Sequence, residues 1–461
     1  MFKKIIFLSL VSCSFVENKF IENKYEDWFS AYIRGNKVGY YHYYIRKVFN
    51  SYEVVENSIL RLKMLDQDKE LQTLTKIKLD NQLKVKSFSF ELKTDVFVKV
   101  NGEVKNNKLI VKMEGKNMPK TERIHDLKYE FYLPQAWWAL LILGKEPPKE
   151  MNVYDPTNFV LGTAKSENLG LLETQYNGKT INARVYRTNM FGAETKVYIY
   201  QNRIIKVEMP FDITLISEPK EIATKTENKN LDVLLTFAIQ PNGTFDPNKD
   251  SVLLLKLENL RGELVLDFGA QKIIEKDSNG VIIEIKRQNI KDIKEDSNIP
   301  DSIRQYLKAD AFAQSDDPRI KKLAQEIVSN KTSILEKSRA IMHWVYTNLE
   351  KRPTVSVPNA IEVLNMGYGD CNEHSILYTA LARAAGIPTD IIVGLIYQNG
   401  RYYYHAWNAI YISGNWIWID PTFNQFPADV GHIMLQRGSI DKQAEIMGIV
   451  GKLQIQVLST K

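Results

Sequence analysis

The sequence predicts an α+β multidomain protein: an antiparallel β-rich N-terminal domain over 28–216, a small β-sandwich over 231–300 and an α+β C-terminal domain over 301–461. Three observations predict this. From Trp28 to Met209, apolar and polar residues alternate in short runs broken by Asn-Gly and Asn-Asn pairs, as in hairpins with one buried face. Residues 217–230 are polar and aperiodic, which fits a linker. Beyond Asp316 the apolar period becomes that of amphipathic helices, with capping residues in place. A length of 461 residues leaves room for three domains of about 150 residues each. Hydrophobic residues at 44% and charged residues at 25% are ordinary for a folded chain. The net charge of +6 comes from lysines spread along the chain, with no dense basic patch interleaved with aromatics, so nucleic acid is not an expected partner.

The chain opens with a basic start at Lys3-Lys4, a short apolar run and then Leu10-Val11-Ser12-Cys13, the order of a secretory signal. That run is far below the roughly 20 residues needed to span a bilayer. Leu10-Val11-Ser12-Cys13 resembles a bacterial lipoprotein box. The resemblance implies cleavage before Cys13, lipidation of its sulfur and a lipid-anchored place in the bacterial cell envelope, in the periplasm or at the outer membrane. Residues 1–13 are then the signal peptide and 14–27 a polar tether.

Trp28 to Ile45 reads as a hairpin turning at Gly35-Asn36. Alternating runs follow at 52–64, 71–79, 83–92, 96–100, 109–113, 181–187 and 195–209, and together they imply a large antiparallel sheet with His42 on a half-buried face. The apolar segment Leu133 to Gly144 is too short to cross a membrane and is expected as a helix on the concave side of that sheet. A curved sheet with a helix inside resembles the half-barrel of periplasmic lipoprotein carriers. That likeness implies a site for a lipid or apolar partner, with ordinary core packing as the competing expectation. In the middle domain, short strands are expected at 231–239, 251–257, 263–268 and 281–286, around turns at Asn242-Gly243 and Asn279-Gly280.

Asp317 before Pro318 is a cap and first-turn pair, and Ser333 with Glu336 forms a capping box; both open helices with one apolar face. The glycine-rich stretch Gly367-Tyr368-Gly369-Asp370 then runs into Cys371, and an alanine-rich apolar run continues until Gly386 and Pro388 stop it. Cys371 is therefore expected in the first turn of a buried helix. Unpaired first-turn amides and the helix dipole favour a thiolate there, with a pKa below the free value of about 8.5. Farther on, residues 402–412 and 415–420 read as two strands joined at Ser413-Gly414, with His405 and Asp420 at their outer ends. A tight loop leaves these two offset by two residues, to be closed by a bulge or by sheet twist.

The segments from Gly369 to Ser375, His405-Ala406-Trp407 and Trp418-Ile419-Asp420-Pro421-Thr422, in that order, resemble the transglutaminase-like superfamily of papain-type folds over roughly 315–437. The resemblance implies a triad in which Cys371 attacks an amide or ester carbonyl, His405 carries the proton and Asp420 orients the imidazole. Water resolving the acyl-enzyme makes a protease or deamidase; a lysine amine makes a crosslinker. His374 lies three residues beyond Cys371 and competes as the base, with poor geometry from the same helix turn. Trp407 is expected to shield the pair from water. Asn365 and Tyr368 are side-chain oxyanion candidates beside the Cys371 amide. His432 follows the aspartate in a segment similar to that of bacterial members and is a candidate for lining the cleft, with a plain structural role as the alternative.

The chain has two cysteines, so lipidation of Cys13 leaves Cys371 without a disulfide partner. An exported single thiol is open to oxidation, which favours a catalytic role; taken without His405 and Asp420, a small buried structural cysteine is the better reading. No zinc-ligand spacing, calcium loop or phosphate loop is present, so neither metal nor cofactor is expected. The resulting expectation is an exported, lipid-anchored thiol enzyme acting on amide bonds of proteins or peptides. The alternative is a non-catalytic envelope binding protein with a vestigial triad, holding a lipid or protein partner in its N-terminal domain.

Overall fold

The computed structural model describes residues 21–438 and 453–461, apart from 65–66, 95–96, 116–117, 158–159, 191–192, 211, 226–231, 233–235, 261–263, 292, 296–297, 311 and 353–358. The expected signal peptide, Cys13 and the tether as far as residue 20 lie outside the described residues, as do 226–230 of the expected linker.

The first strands are β1 (Ile21–Ile33), β2 (Asn36–Val48), β3 (Ser51–Met64), β4 (Gln67–Leu79), β5 (Val85–Lys93), β6 (Phe97–Lys105), β7 (Lys108–Gly115) and β8 (Met118–Asp126). Each pairs antiparallel with the next. The chain then forms β9 (Phe131–Tyr132) and α1 (Pro134–Ile142). It returns through β10 (Glu150–Asp155), β11 (Val160–Tyr176), β12 (Lys179–Met190), β13 (Ala193–Tyr200), β14 (Arg203–Met209) and β15 (Ile213–Ser217), and β15 pairs with β1. The product is one 15-stranded sheet with β8 and β9 at its edges. Laid flat at about 4.8 Å per strand, those edges would stand roughly 67 Å apart. Residues 127–130 alone join them, a reach of at most about 18 Å. The sheet therefore curls round on itself.

Helix α1 fills the curl. Every side chain from Ala136 to Ile142 is buried, as expected of a helix that is apolar on all sides. The Tyr43 hydroxyl donates to the Gln135 carbonyl at 2.8 Å, and the Gln135 side chain donates to Glu56 at 2.8 Å. His42 stacks on Trp28 with centroids 3.9 Å apart and bonds Glu26. Three differences from the sequence reading stand out here. β1 starts at Ile21, inside the expected tether, because its first residues pair with the end of β2. The run 195–209 is two strands, split where Gln201 and Asn202 both take positive φ. The helix α2 (Lys220–Ala223) occupies part of the expected linker.

Beyond it come β16 (Val252–Glu258), β17 (Gln271–Asp277) and β18 (Gly280–Lys286), then α3 (Pro318–Val328), α4 (Ile334–Asn348) and β19 (Glu350–Lys351). The C-terminal part continues with α5 (Ala360–Met366), β20 (Tyr368–Gly369), α6 (Cys371–Ala384), β21 (Thr389–Gln398), β22 (Arg401–Ile412), β23 (Asn415–Ile419), β24 (His432–Arg437) and β25 (Gln454–Thr460). Two four-stranded sheets result, in the orders β17-β18-β16-β25 and β23-β22-β21-β24. The first takes its fourth strand from the far end of the chain, because β16, which buries Leu253, Leu255 and Leu257, needs a partner on each side. The strand expected at 263–268 is displaced to β17, after a turn in which Phe268 and Gln271 exchange backbone bonds.

The two sheets are tied together. The buried Gln271 side chain donates to the carbonyls of Leu266 and Met434 at 3.0 Å each and accepts from the Met434 amide at 2.9 Å. Ile239 and Tyr402 exchange backbone bonds at 2.8 Å. No described helix is long and apolar enough to cross a membrane.

Candidate active site

The approach to Cys371 is built from caps. Asp317 caps α3, and Ser333 with Glu336 closes a capping box on α4. Asn359 and Glu362 do the same for α5, which ends on Gly367 in the left-handed region at φ 70°. Gly369 has to be bare: a Cβ there would lie 2.2 Å from the Cβ of Glu373. Asp370 then caps α6, accepting from the Asn372 amide, while Glu373 accepts from the Asp370 amide at 2.8 Å. Cys371 is the first residue of α6, as expected from the sequence. The helix is held against β22 by the buried Asn408, whose amide donates to the Ser375 carbonyl at 3.1 Å and to the Thr379 hydroxyl at 2.8 Å.

The thiol is not as the sequence reading has it. Although Cys371 keeps some exposure, burial and the charges of Asp370, Glu373 and Asp420 push its pKa well up. The Ala406 amide, which donates to the sulfur, opposes them. Burial outweighs the dipole, and the carboxylates that cap this helix add two negative charges beside the group that was expected to be electropositive.

The pairing of β22 with β23 runs to Asn408 opposite Ile419 across the loop at Ser413-Gly414. Continued, this register would set Asp420 opposite Trp407, two residues from His405. The pairing stops instead at Ile419, and Asp420 exchanges backbone bonds with Gln425 at 2.9 and 3.0 Å in a curl of the chain. That curl closes the offset. His405 Nε2 donates to Asp420 Oδ2 at 2.7 Å, with both residues buried. The amides of Thr422 and Phe423 donate to Asp420 Oδ1 at 2.7 and 3.2 Å. Burial alone would raise the Asp420 pKa, but the imidazoles of His405 and His432 outweigh it and hold the carboxyl well below the usual range.

His432 also meets the aspartate, with Nε2 donating to Asp420 Oδ2 at 3.1 Å. Its Nδ1 faces Asp429 Oδ1 at 3.0 Å and the Asp429 carbonyl at 3.2 Å. Burial would depress its pKa, yet the two carboxylates outweigh that and raise it to about 9. Both His432 and Trp407 are fully buried, so neither lines an open cleft. Trp407 packs behind the imidazoles, with centroids 6.0 Å from His405 and 5.0 Å from His432.

The other candidates take no part in these bonds. His374 is buried with Nδ1 on the Asp370 carbonyl at 2.7 Å, and burial lowers its pKa. It is a neutral ring turned towards its own helix start. Asn365 is exposed on the last turn of α5. Tyr368 is half-buried beneath the Arg352 guanidinium, 4.6 Å from its ring centroid. The sequence reading missed Asn408, the Ala406 amide and Asp429. The spacing Asp429-Val430-Gly431-His432 is the one signal that pointed to Asp429.

His405, Asp420 and His432 offer three ligand atoms within 4.8 Å of one another. In this structure the two imidazoles of the group are joined by hydrogen bonds through Asp420 Oδ2.

Residues 321–421 match the family model of the transglutaminase-like superfamily. An uncharacterised protein of Haemophilus influenzae is 32% identical over 98 residues, 20% of this chain and 26% of that protein. The kyphoscoliosis peptidase of Mus musculus is 25% identical over 142 residues, 27% of this chain and 22% of the mouse protein. The chain thus spans about a quarter of the length of these relatives. Among solved structures, a candidate cysteine protease from Cytophaga hutchinsonii aligns over 46% of this chain and 89% of its own, at 19% identity and a TM-score of 0.33.

Proposed function

We propose, from the premise that residues 321–421 are a transglutaminase-like core, that this chain is a thiol hydrolase of the protease or deamidase type acting on amide bonds of proteins or peptides. The observation that carries the reading is the buried 2.7 Å bond from His405 to Asp420, on a strand whose next amide bonds the Cys371 sulfur. His405 takes the thiol proton as sulfur attacks the carbonyl carbon, and the Cys371 amide receives the developing oxyanion. His405 returns that proton to the departing amine, leaving a thioester on Cys371. It then deprotonates a water, whose attack releases the acid and the thiol. Asp420 stays ionised throughout and keeps the imidazole in one tautomer. Water rather than an amine as acceptor is supported by the name peptidase carried by the mouse relative.

The same reading makes the chain an exported protein tethered by lipid at Cys13. Palmitate incorporation that disappears in Cys13→Ala supports it, and unchanged incorporation rejects it.

The test of the chemistry is turnover of an unfolded protein substrate, with and without a primary amine. The native chain should release acid products with Cys371→Ala inactive and His405→Ala reduced by about 10²-fold or more. Wild-type turnover by Cys371→Ala overturns the proposal, and amine incorporation in place of hydrolysis moves it to a crosslinker.

A further inference from the structure

One carboxylate oxygen at the centre of the site serves two imidazoles. Asp420 Oδ2 receives Nε2 of His405 at 2.7 Å and Nε2 of His432 at 3.1 Å. A triad needs only the first of these. The second ring is buried completely and is gripped from behind by Asp429. Asp429 is in turn fixed by Gln425 at 2.7 Å and by the Gly431 amide at 2.9 Å.

Hydrogen-bond bookkeeping decides the state of this ring. A neutral imidazole has one donor and one acceptor nitrogen, whereas an imidazolium has two donors. The Nδ1 of His432 faces only oxygen acceptors of Asp429, and its Nε2 faces the Asp420 carboxylate. Only the protonated ring satisfies both ends. His405 differs: its Nε2 meets Asp420, and on the triad reading its Nδ1 is the nitrogen that serves the thiol.

We propose that His432 is a positioning residue, protonated at neutral pH, which answers the charge of Asp420 so that His405 meets Cys371 as a neutral base. Without it, His405 alone would answer the charge of Asp420, and an imidazole held as the cation cannot accept from sulfur. The groups that face His432 fit this assignment. They are Asp420 beyond β23, Asp429 in the preceding loop, His405 and Trp407 on β22 with centroids 5.8 and 5.0 Å away, and the apolar Ile396 opposite it on β21. The raised pKa of about 9 agrees with the geometry.

The inference rests on the triad reading above, and iodoacetamide alkylation of Cys371 against pH, which needs no substrate, separates the two. His405→Ala tests the triad: if it leaves alkylation unchanged, the triad itself fails. If it slows alkylation, the His432 variants decide the inference. In His432→Gln, which keeps a donor to Asp420 but carries no charge, the acid limb of the profile should move up by about one pH unit. Turnover at pH 6.5 should fall about tenfold with KM within twofold. Asp429→Asn, which leaves the ring in place, should move the limb in the same direction by less and decides the matter if His432→Gln does not fold. In 15N-histidine spectra of the whole chain at pH 7.5, the signal lost in His432→Gln should show both nitrogens protonated. A wild-type limb in a folded His432→Gln or in Asp429→Asn, or a neutral ring in that spectrum, overturns the inference.

Discussion

Glu56 carries a carboxyl into the curl of the sheet, where the Gln135 amide on α1 donates to it. Burial raises its pKa from 4.5 to about 7 against that bond. Between those values the folded chain binds a proton that the unfolded chain has lost, so stability falls as pH rises through the window. Glu56→Gln removes the titration, and its amide can donate to the buried, unpartnered Gln135 Oε1. The variant should match the native chain below pH 4.5 and exceed it above pH 7, by up to about 3 kcal/mol. Urea midpoints at pH 4.5 and 8 measure this, and equal gains at both overturn it. His432 has the opposite chemistry and the same slope. Its stabilising contacts are complete below about 6.5 and are lost as pH rises through about 9.

Helix α6 shows how an element can place a residue and at the same time work against it. Its capping box fixes the first turn and so sets where Cys371 stands, while the same two carboxylates oppose ionisation of the thiol. Asp370→Asn separates these roles, because Asn caps as well as Asp. Stability should change by no more than about 0.5 kcal/mol, while Cys371 alkylation at fixed pH should rise several-fold. An unchanged or slower rate would show that the cap charge does not reach the sulfur. β21 makes its own contribution through Gly394, where a Cβ would lie 2.0 Å from the Ile433 carbonyl. Only a bare residue lets β24 lie close enough to bring His432 to the aspartate.

Across the whole molecule, the sheet carrying His405 is braced by a second sheet whose strands come from about 200 residues apart. Gln271 is the joint, serving three backbone groups from inside the core. Gln271→Leu leaves those groups buried without partners, and at roughly 1–3 kcal/mol each the loss should be on the order of 3 kcal/mol or more. Thermal unfolding together with Cys371 alkylation would detect it. A loss below about 1 kcal/mol would mean the two sheets hold without this joint.

The sequence by itself determined the local features. The caps at Asp317 and Ser333, the start of α6 at Cys371 and the two-residue offset between His405 and Asp420 all follow from neighbours within a few positions, where one turn or one loop sets the geometry. Only the tertiary structure decided the rest. β17 is an exposed edge strand with little alternation, so it left no periodic signal. β25 alternates legibly but finds its partner across the chain. The state of the Cys371 thiol and the second imidazole on Asp420 depend on burial and on charges brought together from separate elements. No spacing along the chain encodes how much water a folded site excludes.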